Sequence, residues 1–348
     1  MGIFDKYMKE SESLFIDQNS LDPEFVPKEI PHRENQQHYI ADTLSPLFQG
    51  RSGKNLLMTG KPGIGKTLAV KHIFTELEDK TGEIKPIYIN CWKKDTTFKV
   101  LNEICEQLEY KWTHNKRTDE LMKIISDMFN KKSTVFCFDE VDKLKDVDFL
   151  YSISEDILRK SILLITNTHD WIIRLDQRIR SRLSLEHLEF LPYTYNETKD
   201  ILKMRRDHAF QRNVFDEDAF ELIVNKTFIL RDIRFGLFLL KEAGDIAERR
   251  LSRKITIENA QDAINKLHEP IEKGVMNGKN QLLEIVKNNS GKTIKEIYDG
   301  YIKKGGKKTY TTVYRKLIEL QKDEMIEIKN LGGTSSSVVV YRKKLIDF

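Results

Sequence analysis

The stretch Asn55 to Phe74, NLLMTGKPGIGKTLAVKHIF, constrains the fold more than any other part of this 348-residue chain. It holds the pattern G-x-x-x-x-G-K-T at Gly60, Gly65, Lys66 and Thr67. The apolar run NLLMT has the length of a strand. TLAVKHIFTELEDK then sets Leu68, Val70, Ile73, Phe74 and Leu77 largely on one helical face. Strand, glycine-rich loop and helix in that order predict a cradle for phosphate groups. Lys61, Pro62, Gly63, Ile64 and Leu68 complete it, with backbone N–H groups and the helix N-terminus facing the phosphates. Lys66 is expected to reach the β- and γ-phosphates and Thr67 to hold Mg²⁺. The glycines allow positive φ and close backbone approach.

A phosphate cradle needs a group on the metal side. STVFCFDEVDKL supplies an apolar run, Val135 to Phe138, that ends in Asp139-Glu140. A parallel strand buried on both faces reads this way. Asp139 is expected to bind Mg²⁺ through water, and Glu140 to polarise an attacking water. An acidic strand exit without chemistry is the plain alternative; the loop upstream favours the functional reading. A third strand in SILLITNTHDW ends at Thr166-Asn167, where Asn167 can touch the γ-phosphate or simply form a turn. Arg178, Arg180 and Arg182 follow in IIRLDQRIRSRLSLEHLEF, ahead of a further strand. An arginine there either completes a neighbouring molecule's site or is surface charge, and the residues alone leave this open.

Composition narrows the class. No apolar run approaches the roughly 18 to 20 residues that cross a bilayer. MGIFDKYMKESESLF is too charged for a secretory signal, and its Met-Gly start lacks the sixth-position Ser or Thr of a myristoylation signal. Cys91, Cys105 and Cys137 are scattered and read as buried reduced thiols, and the eight histidines show no metal-ligand spacing. The expectation is a cytoplasmic, nucleoid-associated protein with no membrane partner. The net charge of +4 is unevenly placed. Residues 271–348 carry sixteen Lys and Arg against nine Asp and Glu, a surplus of seven, so the preceding residues carry −3. A basic tail on a near-neutral body points to an anionic partner for the tail.

The expected architecture is an α/β base domain over 1–192 with a parallel sheet, a helical lid over 193–270 and a third domain over 280–348. Asn196 is the expected N-cap of the first lid helix, and Pro270 is expected to end the last one. Beyond a polar linker, QLLEIVKN, TIKEIYDGYIKK and TYTTVYRKLIELQKDEM read as helices, and IEIKN and VVVYRK as strands around LGGTSSS. Three helices and a hairpin describe a winged helix. Val313, Leu317 and Leu320 form the core face of its third helix. Arg315, Thr309, Thr311 and Thr312 are candidate DNA contacts, with Lys307 and Lys308 on phosphates and Thr334, Ser335 and Arg342 in or beside the wing. A winged helix used for protein contact is the bland alternative.

Together these motifs resemble the AAA+ class of P-loop ATPases, and more closely the archaeal-type replication initiators related to the origin recognition complex and its helicase-loading partner. LDPEFVPKEIPHRENQQHYIADTL is similar to that family's N-terminal segment. The resemblance places Val26, Pro27, His32 and Arg33 beside the adenine. YINCWKKDTTFKVLNEICEQL resembles the second strand and the initiator-specific helix, which implies DNA contacts from Lys93, Lys94 and Lys99. LRDIRFGLFLLKEAGDIAERR resembles the lid motif Gly-Asp-x-Arg, which makes Arg234 the lid arginine that reaches the γ-phosphate. Arg231 replaces the usual Gly, and Gln177 stands where Pro is common. Arg178 and Arg182 both match positions that serve as arginine fingers, with Arg182 favoured.

The resemblance implies an initiator that binds duplex origin DNA, with ATP and ADP states and Mg²⁺ as a slow switch. Paralogous initiator subunits and the replicative helicase are the further partners it implies. Two alternatives share the domain plan: a clamp-loader-like ATPase that contacts DNA without sequence choice, and an ATP-gated transcription regulator.

Overall fold

The structure, a computed structural model, describes residues 13–168, 170–275, 281–303, 306, 309–322, 326–330 and 337–341. Its internal contacts divide it into two compact units, Met1–Gln261 and Asp262–Phe348.

In the first unit, α1 (Glu34–Leu44) leads to β1 (Leu56–Thr59), α2 (Lys66–Lys80), β2 (Ile84–Asn90), α3 (Thr97–Gln107), α4 (Thr118–Phe129) and β3 (Ser133–Asp139). Next come α5 (Asp148–Asp156), β4 (Lys160–Thr166), the short α6 (Trp171–Arg174), α7 (Gln177–Leu183) and β5 (Glu186–Glu189). The five strands form a parallel sheet in the order β2-β3-β4-β1-β5. Every residue of β1 and β3 is buried, as a parallel strand covered on both faces requires. One face carries α3, α4, α5 and α7 through Val100, Leu121, Phe149 and Ile179, packed on Phe136 and Phe138. The other carries α1 and α2 through Ile40, Val70 and Phe74, packed on Met58 and Leu163. Each such side chain contributes roughly 1.5–3 kcal/mol by leaving water. Because β4 lies between β1 and β3, Asn167, the residue that follows it, is set between the glycine loop and Asp139.

Four helices follow: α8 (Tyr195–Ala209), α9 (Glu217–Leu230), α10 (Ile233–Arg249) and α11 (Ile257–Val275). Thr194, not Asn196, caps α8. Its side chain accepts from Glu197 N–H while the Glu197 carboxylate accepts from Thr194 N–H at 2.7 Å. Asn196 lies one residue inside the helix, where no orphan donor needs it. Nor does Pro270 end α11, which runs on to Val275. A proline removes one donor from a helix interior without forbidding its continuation. The boundary between the two units falls inside α11.

Arg231 closes α9 in the left-handed conformation, φ 55° and ψ 32°. A Cβ there costs about 1–2 kcal/mol that glycine avoids. Arg231 is exposed. Arg231→Gly is therefore expected to raise the thermal midpoint by about 2–4 °C, as roughly 1 kcal/mol does for a unit this size; calorimetry checks it, and a lowered midpoint would show that the arginine side chain contributes more than its backbone strain removes.

The second unit contains α12 (Gln281–Asn288), β6 (Lys292–Thr293), α13 (Ile294–Lys303), α14 (Tyr310–Lys322), β7 (Ile326–Asn330) and β8 (Ser337–Tyr341). Its sheet runs β6-β8-β7, antiparallel. Val313, Leu317 and Leu320 of α14 pack with Leu282, Ile285, Ile297, Tyr301 and Val339. The two-residue β6 has no sequence signature and exists through its pairing with Val338 and Val339. Tyr310 and Tyr314 are exposed, and Tyr301 is buried.

Candidate functional site

The loop between β1 and α2 opens on a cavity of about 290 Å³. Gly65, the residue before α2, has φ 93°, and a Cβ on it would lie 2.7 Å from the Tyr193 hydroxyl. Gly63 has φ 72°, and a Cβ on it would strike Asp232 at 1.8 Å. Only glycine satisfies both the backbone angle and the close approach. The first N–H groups of α2, which have no partner inside the helix, start at this loop.

Lys66 is buried, and its ammonium donates to Gly60 O at 2.6 Å, Lys61 O at 2.8 Å and Asn167 Oδ1 at 2.9 Å. Burial lowers its pKa to about 8, against the opposing pull of Asp139. The lysine is thus held at the cavity wall by carbonyl-type acceptors that an anion can outcompete. Thr67 Oγ1 and Tyr88 OH both donate to Asp139 Oδ2, at 2.5 and 2.8 Å. Glu140 follows at φ 57°, and burial, then Asp139, raises its pKa. Asp142 steadies Asn167 by accepting from Asn167 N–H at 3.4 Å and from Thr166 Oγ1 at 3.1 Å. From the lid side, Asp232 caps α10 and grips Arg234 through both carboxylate oxygens, at 3.0 and 2.6 Å. Arg234, Glu140, Asn167, Lys66, Thr67 and Asp139 all line the cavity, as do Pro62, Gly63, Gly65 and Leu68.

Pro27, Ile30, Ile201 and Met204 add apolar side chains to the same lining. Cationic and apolar groups around one cavity suit a nucleotide. A hydroxyl and a carboxylate in contact beside the cationic groups suit Mg²⁺, which takes few protein oxygens and completes its shell with water and phosphate. No group of three or more His, Cys, Asp or Glu able to hold a metal occurs among the described residues.

Several expected contacts fall elsewhere. Of the four residues assigned to the adenine, Pro27 lines the cavity; Val26, His32 and Arg33 do not. His32 faces Asp200 at 3.2 Å. Arg33 is buried under the loop, bonded to the Ile64 and Leu191 carbonyls. Gly60, Lys61 and Ile64 also lie off the lining: Gly60 packs against Phe190, Ile64 is buried, and Lys61 is exposed. Sequence reasoning missed Tyr88 and Tyr193, whose roles depend on neighbours distant in the chain. It also missed Arg205, which is buried, lines the cavity and donates to Ser20 O at 2.8 Å and Phe25 O at 3.1 Å. Cys91, Cys105 and Cys137 are free and buried.

Sequence comparisons agree with this layout. A model of the AAA domain matches residues 50–170, and one of the Cdc6 AAA+ ATPase-type lid domain matches residues 199–265. The chain is 31% identical to ORC1-type DNA replication protein 1 of Sulfurisphaera tokodaii, over 94% of its own length and 87% of the relative's. It belongs to the ORC1-type DNA replication protein family. An ORC1-type protein of Methanocorpusculum labreanum is 30% identical over 79% of this chain and 70% of that one. The Aeropyrum pernix ORC1 protein, solved in complex with DNA, shares the fold: TM-score 0.75 at 24% identity, covering 97% of this chain and 96% of that one.

In this ORC1-type chain the candidate arginine fingers differ in their freedom. Arg182 is bound to Glu155 at 3.0 Å and lies over the Tyr151 ring at 5.9 Å. The Arg178 side chain is 86% exposed, with only a 3.5 Å approach to its own cap residue Asp176. Arg182 would have to leave Glu155 to serve a neighbouring molecule, whereas Arg178 stands free of any carboxylate other than Asp176 among the described residues. At the initiator-specific segment, Lys93 is exposed, Lys94 pairs with Glu103 at 2.8 Å and Lys99 with Asp95 at 2.7 Å. Trp92 is 65% exposed beside Lys143, an aromatic that the charge-based reading overlooked.

In the second unit Thr309, Thr311, Thr312 and Arg315 are exposed at the start of α14. Thr309 and Thr312 pair through their hydroxyls at 3.0 Å. Lys307, Lys308, Thr334, Ser335 and Arg342 lie outside the described residues. Among the described residues no helix is long and apolar enough to cross a membrane.

Proposed function

We propose that this chain is an ATP-dependent DNA replication initiator that binds duplex origin DNA, with nucleotide state as its switch. What carries the reading is the cavity in which Lys66, Thr67, Asp139, Asn167 and Arg234 converge, in a chain of the ORC1-type family. Residues 1–192 act as the AAA+ base, 193–270 as the lid and 280–348 as a winged helix. Lys66 and the loop N–H groups hold the β- and γ-phosphates, and Arg234 leaves Asp232 to meet the γ-phosphate from the lid. Thr67 and Asp139 would hold Mg²⁺, which supplies neutralisation of the triphosphate's charge. Glu140, its proton affinity raised by burial, orients and polarises the attacking water. Arg178 of a neighbouring copy or paralogous subunit supplies the finger, so an isolated chain hydrolyses slowly; such an arginine accounts for about 10³ to 10⁵ in rate.

Two surfaces grip the duplex. Lys93, Lys94 and Lys99 exchange acidic partners for phosphates, and α14 offers Arg315 to a guanine edge, with Thr309, Thr311 and Thr312 on bases or phosphates. Lys307, Lys308, Thr334, Ser335 and Arg342 extend the same contact. The replicative helicase is the downstream partner. Footprinting on chromosomal DNA in ATP and ADP tests the reading: discrete protected sites near replication starts are expected. Arg315→Ala should weaken binding to those sites by roughly 1 to 3 kcal/mol. Protection confined to promoters would instead favour transcriptional regulation, and uniform protection a sequence-indifferent ATPase.

A further inference from the structure

Arg33 is a buried cation with an unusual set of partners. It is 4% exposed. Its Nε and one terminal nitrogen donate to Ile64 O at 3.1 and 2.9 Å. That nitrogen also reaches Leu191 O at 2.7 Å, and the other reaches His32 O at 3.3 Å. The guanidinium lies over the Tyr193 ring, 3.9 Å from its centroid. All four hydrogen bonds end on carbonyl oxygens. No carboxylate among the described residues forms an ion pair with it, and Glu197, whose carboxyl it helps to hold low, acts on it only at longer range. A buried charge so placed is costly unless a counter-charge is supplied.

Ile64 O and Gly65 N–H belong to one rigid trans peptide, so they point in opposite directions. Gly65 lines the cavity and Ile64 does not. A fork that draws the Ile64 carbonyl back toward the protein body therefore turns the Gly65 N–H toward the phosphate side. The second acceptor, Leu191 O, fixes the fork to the chain just beyond β5, so the loop is braced against the sheet.

We propose that Arg33 is a positioning residue: it sets the Ile64–Gly65 peptide for phosphate, and the phosphates of the bound nucleotide add to the counter-charge that Glu197 supplies only at longer range. The proposal rests on the nucleotide-binding reading above. It assigns Arg33 to the phosphates through the loop, not to the base.

The test uses the full chain with Arg33→Gln and Arg33→Lys. Affinities for ATP, ADP and GTP are measured by calorimetric titration, and thermal midpoints with and without nucleotide. Arg33→Gln is expected to weaken all three nucleotides by about 10- to 100-fold, the loss expected for hydrogen bonds from a charged donor. The ATP-to-GTP preference stays as in the wild type, and the rise in midpoint on adding nucleotide shrinks. Arg33→Lys keeps the charge without the fork, so it recovers only part of the affinity and carries the test if the glutamine variant does not fold. Wild-type affinity in either variant overturns the proposal. So does a changed base preference, which would return Arg33 to the adenine. So does an unchanged nucleotide-induced rise on a lowered midpoint, which would make Arg33 a packing residue. A wild-type chain that binds no nucleotide would instead overturn the nucleotide reading itself.

Discussion

Lys66→Ala is expected to abolish nucleotide binding in a titration with ATP or ADP, a loss of at least about 100-fold. The ammonium is one of few cations lining the cavity, and each hydrogen bond from a charged donor contributes about 1.5–3 kcal/mol. In the free protein it is held by Gly60 O, Lys61 O and Asn167 Oδ1, all neutral acceptors, so phosphate displaces them at small cost. Its low pKa adds a signature in pH. With the free lysine titrating at about 8, the protonated form predominates below that value, and affinity is level from there down to the phosphate's own second ionisation at about pH 6. Bound phosphate raises the pKa, so binding takes up a proton above pH 8. Affinity then falls by up to tenfold per pH unit until the bound form also titrates. Tight ATP binding by the alanine variant, or affinity rising with pH through this range, would refute the loop assignment.

A fragment ending at Val275 should keep the nucleotide affinity of the whole chain and lose about 10³-fold in duplex affinity, the usual gap between specific and non-specific binding. The first unit holds every residue that lines the cavity, and its core clusters are drawn from its own elements. The second unit has a separate core of its own, from Leu282 to Val339. The truncation removes fifteen Lys and Arg, those of 276–348, so the slope of affinity against salt should also become shallower. Fluorescence anisotropy with a duplex at several salt concentrations reads both effects. Equal affinity and equal slope for fragment and whole chain would remove the tail from DNA binding altogether.

Most of the cavity lining is legible in the sequence, while the contacts around it are not. The glycine loop, Asp139-Glu140 and Asn167 were legible because each ends an apolar strand, and strand ends of a parallel sheet fall on one side. Arg33 lies off the cavity lining, bonded to the Ile64 and Leu191 carbonyls, a contact no local pattern announces. Nor does the sequence show that Arg182 pairs with Glu155 while Arg178 stays exposed. Thr194 and Asn196 are two residues apart and both suit a cap; the reciprocal bonds between Thr194 and Glu197 select the first.

What the residues dictate without further context is local. A buried parallel strand must be apolar throughout, a phosphate loop must pass through positive φ, and a helix face must repeat near every third or fourth residue. Each rule acts within a few residues and so leaves a readable trace. The division of labour among arginines and tyrosines is not local: Arg33 meets Leu191 across 158 residues, and Tyr88 meets Asp139 across 51. One guanidinium can bind a carbonyl, a carboxylate or a phosphate. Folding decides which acceptor lies within 3 Å, and that choice separates a brace, a sensor and a finger that look alike in the sequence.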